Sequence, residues 1–204
     1  MPNVISNYPF ARAFATLPIT SGVEFSGDEV DKMNRLFSRE ELRSGEVDKG
    51  NGQSEEQIRI SKIKFYYPEE DTYWIFDRLN GIIQINNEHM WNFDINGYES
   101  FQYSEYHASE GGKYDFHADL DYRDRREADD PQTRKLSLSL VLSEPGVDFE
   151  GGEFQILLGT QPITCVQEKG SVLLFPSWIL HRVTPVTKGV RKSIVVWVTG
   201  PKFR

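Results

Sequence analysis

Apolar residues recur along the chain with two periods, and the change of period divides it. SGDEVDKMNRLFSREEL puts Val30, Met33, Leu36 and Phe37 on one face of a 3.6-residue repeat and predicts a helix. Ser26 suits its N-cap, and Asp28 and Glu29 suit the electropositive first turn. QIRISKIKFYY alternates Ile58, Ile60, Ile63 and Phe65 imperfectly, which predicts a strand ending at Pro68. EEDTYWIFDRLNGIIQINNE returns to the helical period, with Trp74, Ile75, Leu79, Ile82 and Ile83 as its buried stripe. The polar, glycine-rich stretch 44–56 reads as a loop.

From Trp91 the period falls to two. WNFDINGYESFQYSEYHA, KYDFHADLDY, KLSLSLVLS, GGEFQILLG, GSVLLFPS and RKSIVVWVTG are short strand-like runs between glycine, proline and acidic turns. Such spacing predicts a sandwich or barrel. The expected fold is mainly β with N-terminal helices, in one domain over 1–204. Helix and strand support would occupy about 1–90 and the β core about 91–204. The helices would cover one sheet and leave the opposite mouth open. The charged stretch 121–133 reads as a solvated loop or as a lid over a pocket.

Composition narrows the partners. The chain of 204 residues is 38% hydrophobic and 13% aromatic, enough for a packed core. A net charge of −8 and a pI near 5.1 argue against nucleic acid or an anionic membrane as partner. They permit a small cationic pocket. Cys165 is the one cysteine, so no internal disulfide is expected, and a reducing, cytoplasmic setting is. The first 22 residues read as no signal peptide, and the apolar runs SVLLF and IVVWV are too short to span a bilayer.

The candidate chemistry lies in HADLD and in HRVTPVTKGVR. On a strand, His117 and Asp119 would face the same side. His181, after SVLLFPSWIL, would bring a third ligand from a neighbouring strand. Two imidazoles and a carboxylate on one face of an octahedron suit Fe(II) and leave three positions open. Asp115 and Asp121 share the parity of Asp119 and are alternative carboxylates. His89 and His107 read as surface or rim residues. Arg191, Ser193, Val195 and Trp197 share a face, read as interior. A guanidinium there needs an anion, because an unpaired buried charge costs several kcal/mol. Either a bound carboxylate or an Asp or Glu of the chain would serve. Pro185 and Gly189 in TPVTKG suit a chain reversal.

KYDFHAD, FEGGEF and GSVLLFPSWILHRVTPVTKGVRKSIVVW, in that order, resemble the Fe(II)- and 2-oxoglutarate-dependent dioxygenases of the prolyl 4-hydroxylase-like branch, closest to the bacterial and phage PKHD-type hydroxylases. The resemblance covers about 102–198. It implies a double-stranded β-helix, or cupin-like jelly roll, with His117, Asp119 and His181 as catalytic iron ligands. It implies Arg191 as the partner of the 2-oxoglutarate C5 carboxylate; Ser193, two residues on along the same strand face, would donate a further bond. Tyr106 resembles the tyrosine that helps hold the cosubstrate, and Tyr114 is the alternative. Gly151 and Gly152 resemble the turn before a core strand. The implied cofactors are Fe(II), 2-oxoglutarate and O2, with ascorbate as a reductant.

The implied reaction hydroxylates a C–H bond and releases succinate and CO2. The branch points to a prolyl residue of a peptide or protein. A free amino acid or small metabolite is the alternative substrate. The nucleic-acid demethylase branch carries a second arginine where this chain has Trp197. Two other readings are a non-catalytic or zinc-filled β-sandwich module and a cupin-like enzyme without 2-oxoglutarate.

Overall fold

The computed structural model describes residues 19–39, 41–45, 58–120 and 132–203. The expected loops therefore lie almost wholly outside the described residues, at 46–57 and 121–131.

The first element is β1 (Thr20–Val23), followed by helix α1 (Gly27–Phe37). Its predicted N-cap forms a full capping box: the Glu29 N–H donates to Ser26 Oγ at 3.3 Å, and the Ser26 N–H donates to Glu29 Oε2 at 2.8 Å. Val30, Met33 and Phe37 are buried. Next come β2 (Arg43–Ser44), β3 (Arg59–Ile60) and β4 (Lys62–Tyr66). The single strand expected over 57–67 is thus broken at Ser61, and its halves enter different sheets. Helix α2 (Tyr73–Met90) buries Ile75, Phe76, Leu79, Ile82 and Ile83. Trp74, expected in that stripe, lies at its edge beneath Lys32 Nζ, 4.4 Å from the ring centroid, and Phe76 takes its place.

The β region contributes β5 (Phe101–His107), a 3-10 turn at Ala108–Glu110, β6 (Lys113–His117), β7 (Gln132–Val141), β8 (Phe149–Gly151) and β9 (Phe154–Leu157). It ends with β10 (Ile163–Thr164), β11 (Ser171–Pro176), β12 (Leu180–Val183) and β13 (Val186–Pro201). Residues 91–100, expected as strand, are irregular apart from a bridge between Gly97 and Thr199. The Asn87 side chain exchanges two hydrogen bonds with the Phe93 backbone, at 2.9 and 3.0 Å, so those groups have no ladder partner.

Two antiparallel sheets face each other. The larger runs β1-β11-β7-β13-β5-β4-β2, with β8 paired to β13, and the smaller runs β10-β9-β12-β6-β3. Strand periodicity sorts the larger sheet. Leu136, Leu138, Leu140, Ile194, Val196 and Val198 pack into the core shared with α1 and α2. The opposite parity of β7 and β13 turns towards the smaller sheet, where Ser139, Arg191, Ser193, Val195 and Trp197 line a cavity. This layout is the double-stranded β-helix, with the described helices α1 and α2 on the larger sheet.

The chain reverses before β13, at Thr184 and Pro185, and not over 184–189 as expected. Gly189 sits inside β13 with φ +70°, paired with Phe149 of β8, where an added Cβ would strike the Asp148 carbonyl. Arg191 is therefore well inside a long strand. It lies just past the point where β13 exchanges β8 for β5 and β7 as partners.

Candidate metal and cosubstrate site

A partly open cavity lies between the sheets. At one end, β12 pairs with β6 so that His181 lies opposite His117. Asp119 arrives differently from expectation. The strand ends at His117, and Asp119 follows in irregular backbone, so parity along a strand does not place it. What places it is the Ser177 carbonyl, which accepts the N–H groups of Asp119 and Leu120 at 2.9 and 3.0 Å. The Ser137 hydroxyl then donates to Asp119 Oδ2 at 2.7 Å, and Ser177 Oγ lies 3.0 Å from Ser137 Oγ. Ser137 gives its only hydrogen to the carboxylate, so Ser177 is the donor in that second contact.

The three side chains converge. His117 Nε2 is 3.5 Å from Asp119 Oδ1, and His181 Nε2 is 3.5 Å from Asp119 Oδ2. One ligand atom from each residue lies within 4.8 Å of the others. Both rings are held through the opposite nitrogen: His117 Nδ1 meets the Asp115 carbonyl at 2.8 Å, and His181 Nδ1 meets the Ile179 carbonyl at 2.9 Å. A carbonyl only accepts, so each Nδ1 carries a proton and each Nε2 is the ring atom turned to the centre.

Charge states agree with this. Burial pushes the His181 imidazole down to about 4 against the opposing pull of Asp119, leaving it neutral near pH 7. Burial alone would raise Asp119, but His181, His117 and Ser137 outweigh it and hold the carboxyl well below the usual carboxylate range. An ionised carboxylate and a neutral imidazole are the forms that bind a metal. Of the alternative carboxylates, Asp115 is exposed and bonded to Lys113, and Asp121 lies outside the described residues. His89 is exposed, while half-buried His107 pairs with Glu105 at 2.7 Å. Neither reaches the cavity lining.

At the other end Arg191 is 1% exposed. Its Nη1 donates to Ser193 Oγ and its Nη2 to Gln167 Oε1, both at 3.1 Å, and its buried Nε has no acceptor. Among the described residues no carboxylate lies within salt-bridge distance of it, so the internal ion pair considered from sequence is not found there. Burial lowers its pKa, as expected of a cation in an apolar setting. Gly152 (φ +59°) makes room for it: an added Cβ would lie 3.1 Å from Arg191 Cδ.

Tyr106 and Tyr114 occupy different ends. Tyr106 is opposite Arg191 in register, its ring centroid 5.7 Å from the guanidinium. Tyr114 stacks on His117, with centroids 3.5 Å apart, because a bulge in β6 turns both residues to one side despite their opposite parity. Sequence reasoning passed over Arg59, Trp197 as a donor, and Gln167. Arg59 lines the cavity over Tyr114, 4.8 Å from the ring centroid, with Nε bonded to Ser61 Oγ at 2.7 Å. Its place at the end of a polar loop gave no warning. Trp197 Nε1 is buried without an acceptor, like Arg191 Nε and Gln167 Nε2.

This lining fits a small dicarboxylate. Orphaned donors at Arg191 and Trp197 call for a ligand rich in acceptors. The other end offers three ligand atoms to a divalent ion. Fold and site together resemble one class, the 2OG-Fe(II) oxygenases: residues 101–199 match the model described as 2OG-Fe(II) oxygenase superfamily.

Over part of its length the chain is also similar to PKHD-type hydroxylases. It is 37% identical to one from Alteromonas mediterranea over 92 residues, and 36% identical to one from Pseudomonas fluorescens over 89 residues. These matches cover 44% and 43% of this chain, and span only 39% and 38% of the relatives' length. Its fold is that of a Pseudomonas putida prolyl-4-hydroxylase (TM-score 0.70, 20% identity, covering 94% of this chain and 97% of that one). A Trichoplax adhaerens prolyl hydroxylase, solved with a hypoxia inducible factor peptide, is similar too (TM-score 0.71, 20% identity, 93% and 86% covered). No helix among the described residues is long and apolar enough to cross a membrane.

Proposed function

We propose that the chain is one catalytic domain that hydroxylates an unactivated C–H bond, at a prolyl residue of a peptide or protein, with release of succinate and CO2. The observation that carries this reading is the pairing of a three-ligand cluster with a buried guanidinium that has no acid partner among the described residues, in one cavity. Fe(II) with 2-oxoglutarate and O2 would supply the oxidation, and ascorbate would keep the iron reduced. His117, Asp119 and His181 hold the metal. Arg191 and Ser193 take the distal carboxylate, and Tyr106 closes the wall beside them. Tyr114 fixes the plane of the His117 ring, and Arg59 and Trp197 face the substrate.

The peptide substrate draws its support from the hydroxylase relatives and from the peptide complex of a structural neighbour. A free amino acid is the competing substrate. Succinate formed from 2-oxoglutarate in air, with and without Fe(II), tests the reaction; equal yields in both, or equal yields under anaerobic conditions, would reject it. A peptide panel read by a mass gain of about one oxygen atom tests the substrate, since hydroxylation is the chemistry such a cofactor set performs.

A further inference from the structure

We infer that Gln167 is a positioning residue for Arg191, and that its lack of charge is what leaves the guanidinium free for the distal carboxylate of a 2-oxo dicarboxylate. The inference rests on the proposed role of Arg191.

Gln167 lies between β10 and β11, and its Oε1 accepts from Arg191 Nη2 at 3.1 Å. With Ser193 Oγ on Nη1, two neutral acceptors fix the guanidinium plane. A carboxylate at the Gln167 position would hold the arginine as well, but would also neutralise it. The next residue, Glu168, is an acid, yet it is exposed and its backbone N–H is capped by Ser171 Oγ at 3.0 Å. The chain thus places an amide on the arginine and turns the neighbouring acid to solvent. Accepting through Oε1 turns the Gln167 amide nitrogen away from Nη2, and that nitrogen is buried with no acceptor.

The loop does not depend on this side chain for its shape. The Cys165 N–H donates to the Phe154 carbonyl at 2.9 Å, and the Gly170 N–H to the Val141 carbonyl at 2.8 Å. Lys169 Nζ reaches Asp31 Oδ1 on α1 at 2.6 Å. A substitution at 167 therefore alters the arginine's partner and not the path of the backbone.

The test is calorimetric binding to the metal-loaded protein, with Mn(II) in place of Fe(II), of two probes: 2-oxoglutarate, and 2-oxopentanoate, which keeps the chelating end but lacks the distal carboxylate. Gln167→Glu is expected to weaken 2-oxoglutarate by about tenfold or more and to leave 2-oxopentanoate within about twofold of wild type. Gln167→Leu, which removes the acceptor without adding charge, is expected to weaken 2-oxoglutarate alone, by about threefold. Unchanged 2-oxoglutarate affinity in Gln167→Glu, or equal weakening of both probes, would overturn the inference. Should Gln167→Glu fail to fold, Gln167→Leu decides by the same comparison. If the wild-type protein itself prefers 2-oxopentanoate, the role of Arg191 falls and this inference with it; if wild type discriminates and the variants match it, only the role of Gln167 falls.

Discussion

The two ends of the cavity solve opposite electrostatic problems. At the metal end, serine hydroxyls and backbone carbonyls satisfy Asp119 Oδ2 and both Nδ1 atoms, while the two Nε2 atoms and the carboxylate oxygens converge on one another at 3.5 Å. At the arginine end, a buried cation has only neutral partners among the described residues, and an orphaned Nε. The first is a cluster of acceptors awaiting a cation, and the second is a charge awaiting its counter-ion. Losses at the first should therefore appear in metal binding, while losses at the second should appear in cosubstrate binding and can even stabilise the empty protein.

Asp119→Ala should have the largest effect. It removes the one anionic ligand, and metal-dependent succinate formation should drop to the level of the metal-free protein. Retained Fe(II)-dependent turnover would place the metal elsewhere. Arg191→Met comes next. The 2-oxoglutarate dissociation constant should rise roughly thirtyfold or more, while the melting temperature of the ligand-free protein holds or increases, because an uncompensated buried charge is gone. A clear fall in that temperature would mean that the arginine already has an acid partner.

Ser137→Ala should act more mildly, on the metal end only. It frees Asp119 Oδ2 from its 2.7 Å bond. Metal affinity should fall about tenfold to hundredfold with 2-oxopentanoate binding to the loaded protein unchanged, measured by competition with a chelator.

The smallest expected effect is on pH. Burial lowers the folded His181 pKa to about 4, against 6.5 for the ordinary imidazole. Between these values the unfolded chain takes up a proton that the native site refuses, so metal-free stability falls as pH drops from 6.5 towards 4. The loss should be of the order of 1–2 kcal/mol between pH 7 and 5 by urea denaturation, with a flatter slope in His181→Gln.

The two ends also differed in how readable they were. Arg191 could be found by strand alternation alone, since Ser193, Val195 and Trp197 share its side of a regular ladder. His181 and His117 came from adjacent strands for the same reason. Asp119 does cluster with the two histidines, but not through the alternation rule that pointed to it. It follows the strand, and a carbonyl 58 positions later, at Ser177, holds it in place. Tyr114 reached the cavity through a bulge that local alternation cannot show. The helices were legible from period and capping. The irregular stretch 91–100 was not, because a single asparagine side chain, at 87, takes over backbone bonds that a strand would have used. Gln167 carries no local signal at all, since only the closed sheet brings its loop to Arg191.

The most direct test asks whether one ligand uses both ends at once. Calorimetry on the Mn(II)-loaded protein would compare 2-oxoglutarate with glutarate, which lacks the 2-oxo group, and with 2-oxopentanoate, which lacks the distal carboxylate. 2-Oxoglutarate should bind at least about tenfold tighter than either, since each truncated ligand leaves one end without its charged partner. Glutarate or 2-oxopentanoate binding as tightly as 2-oxoglutarate would contradict a single dicarboxylate bridging the ligand cluster at 117, 119 and 181 and the guanidinium at 191.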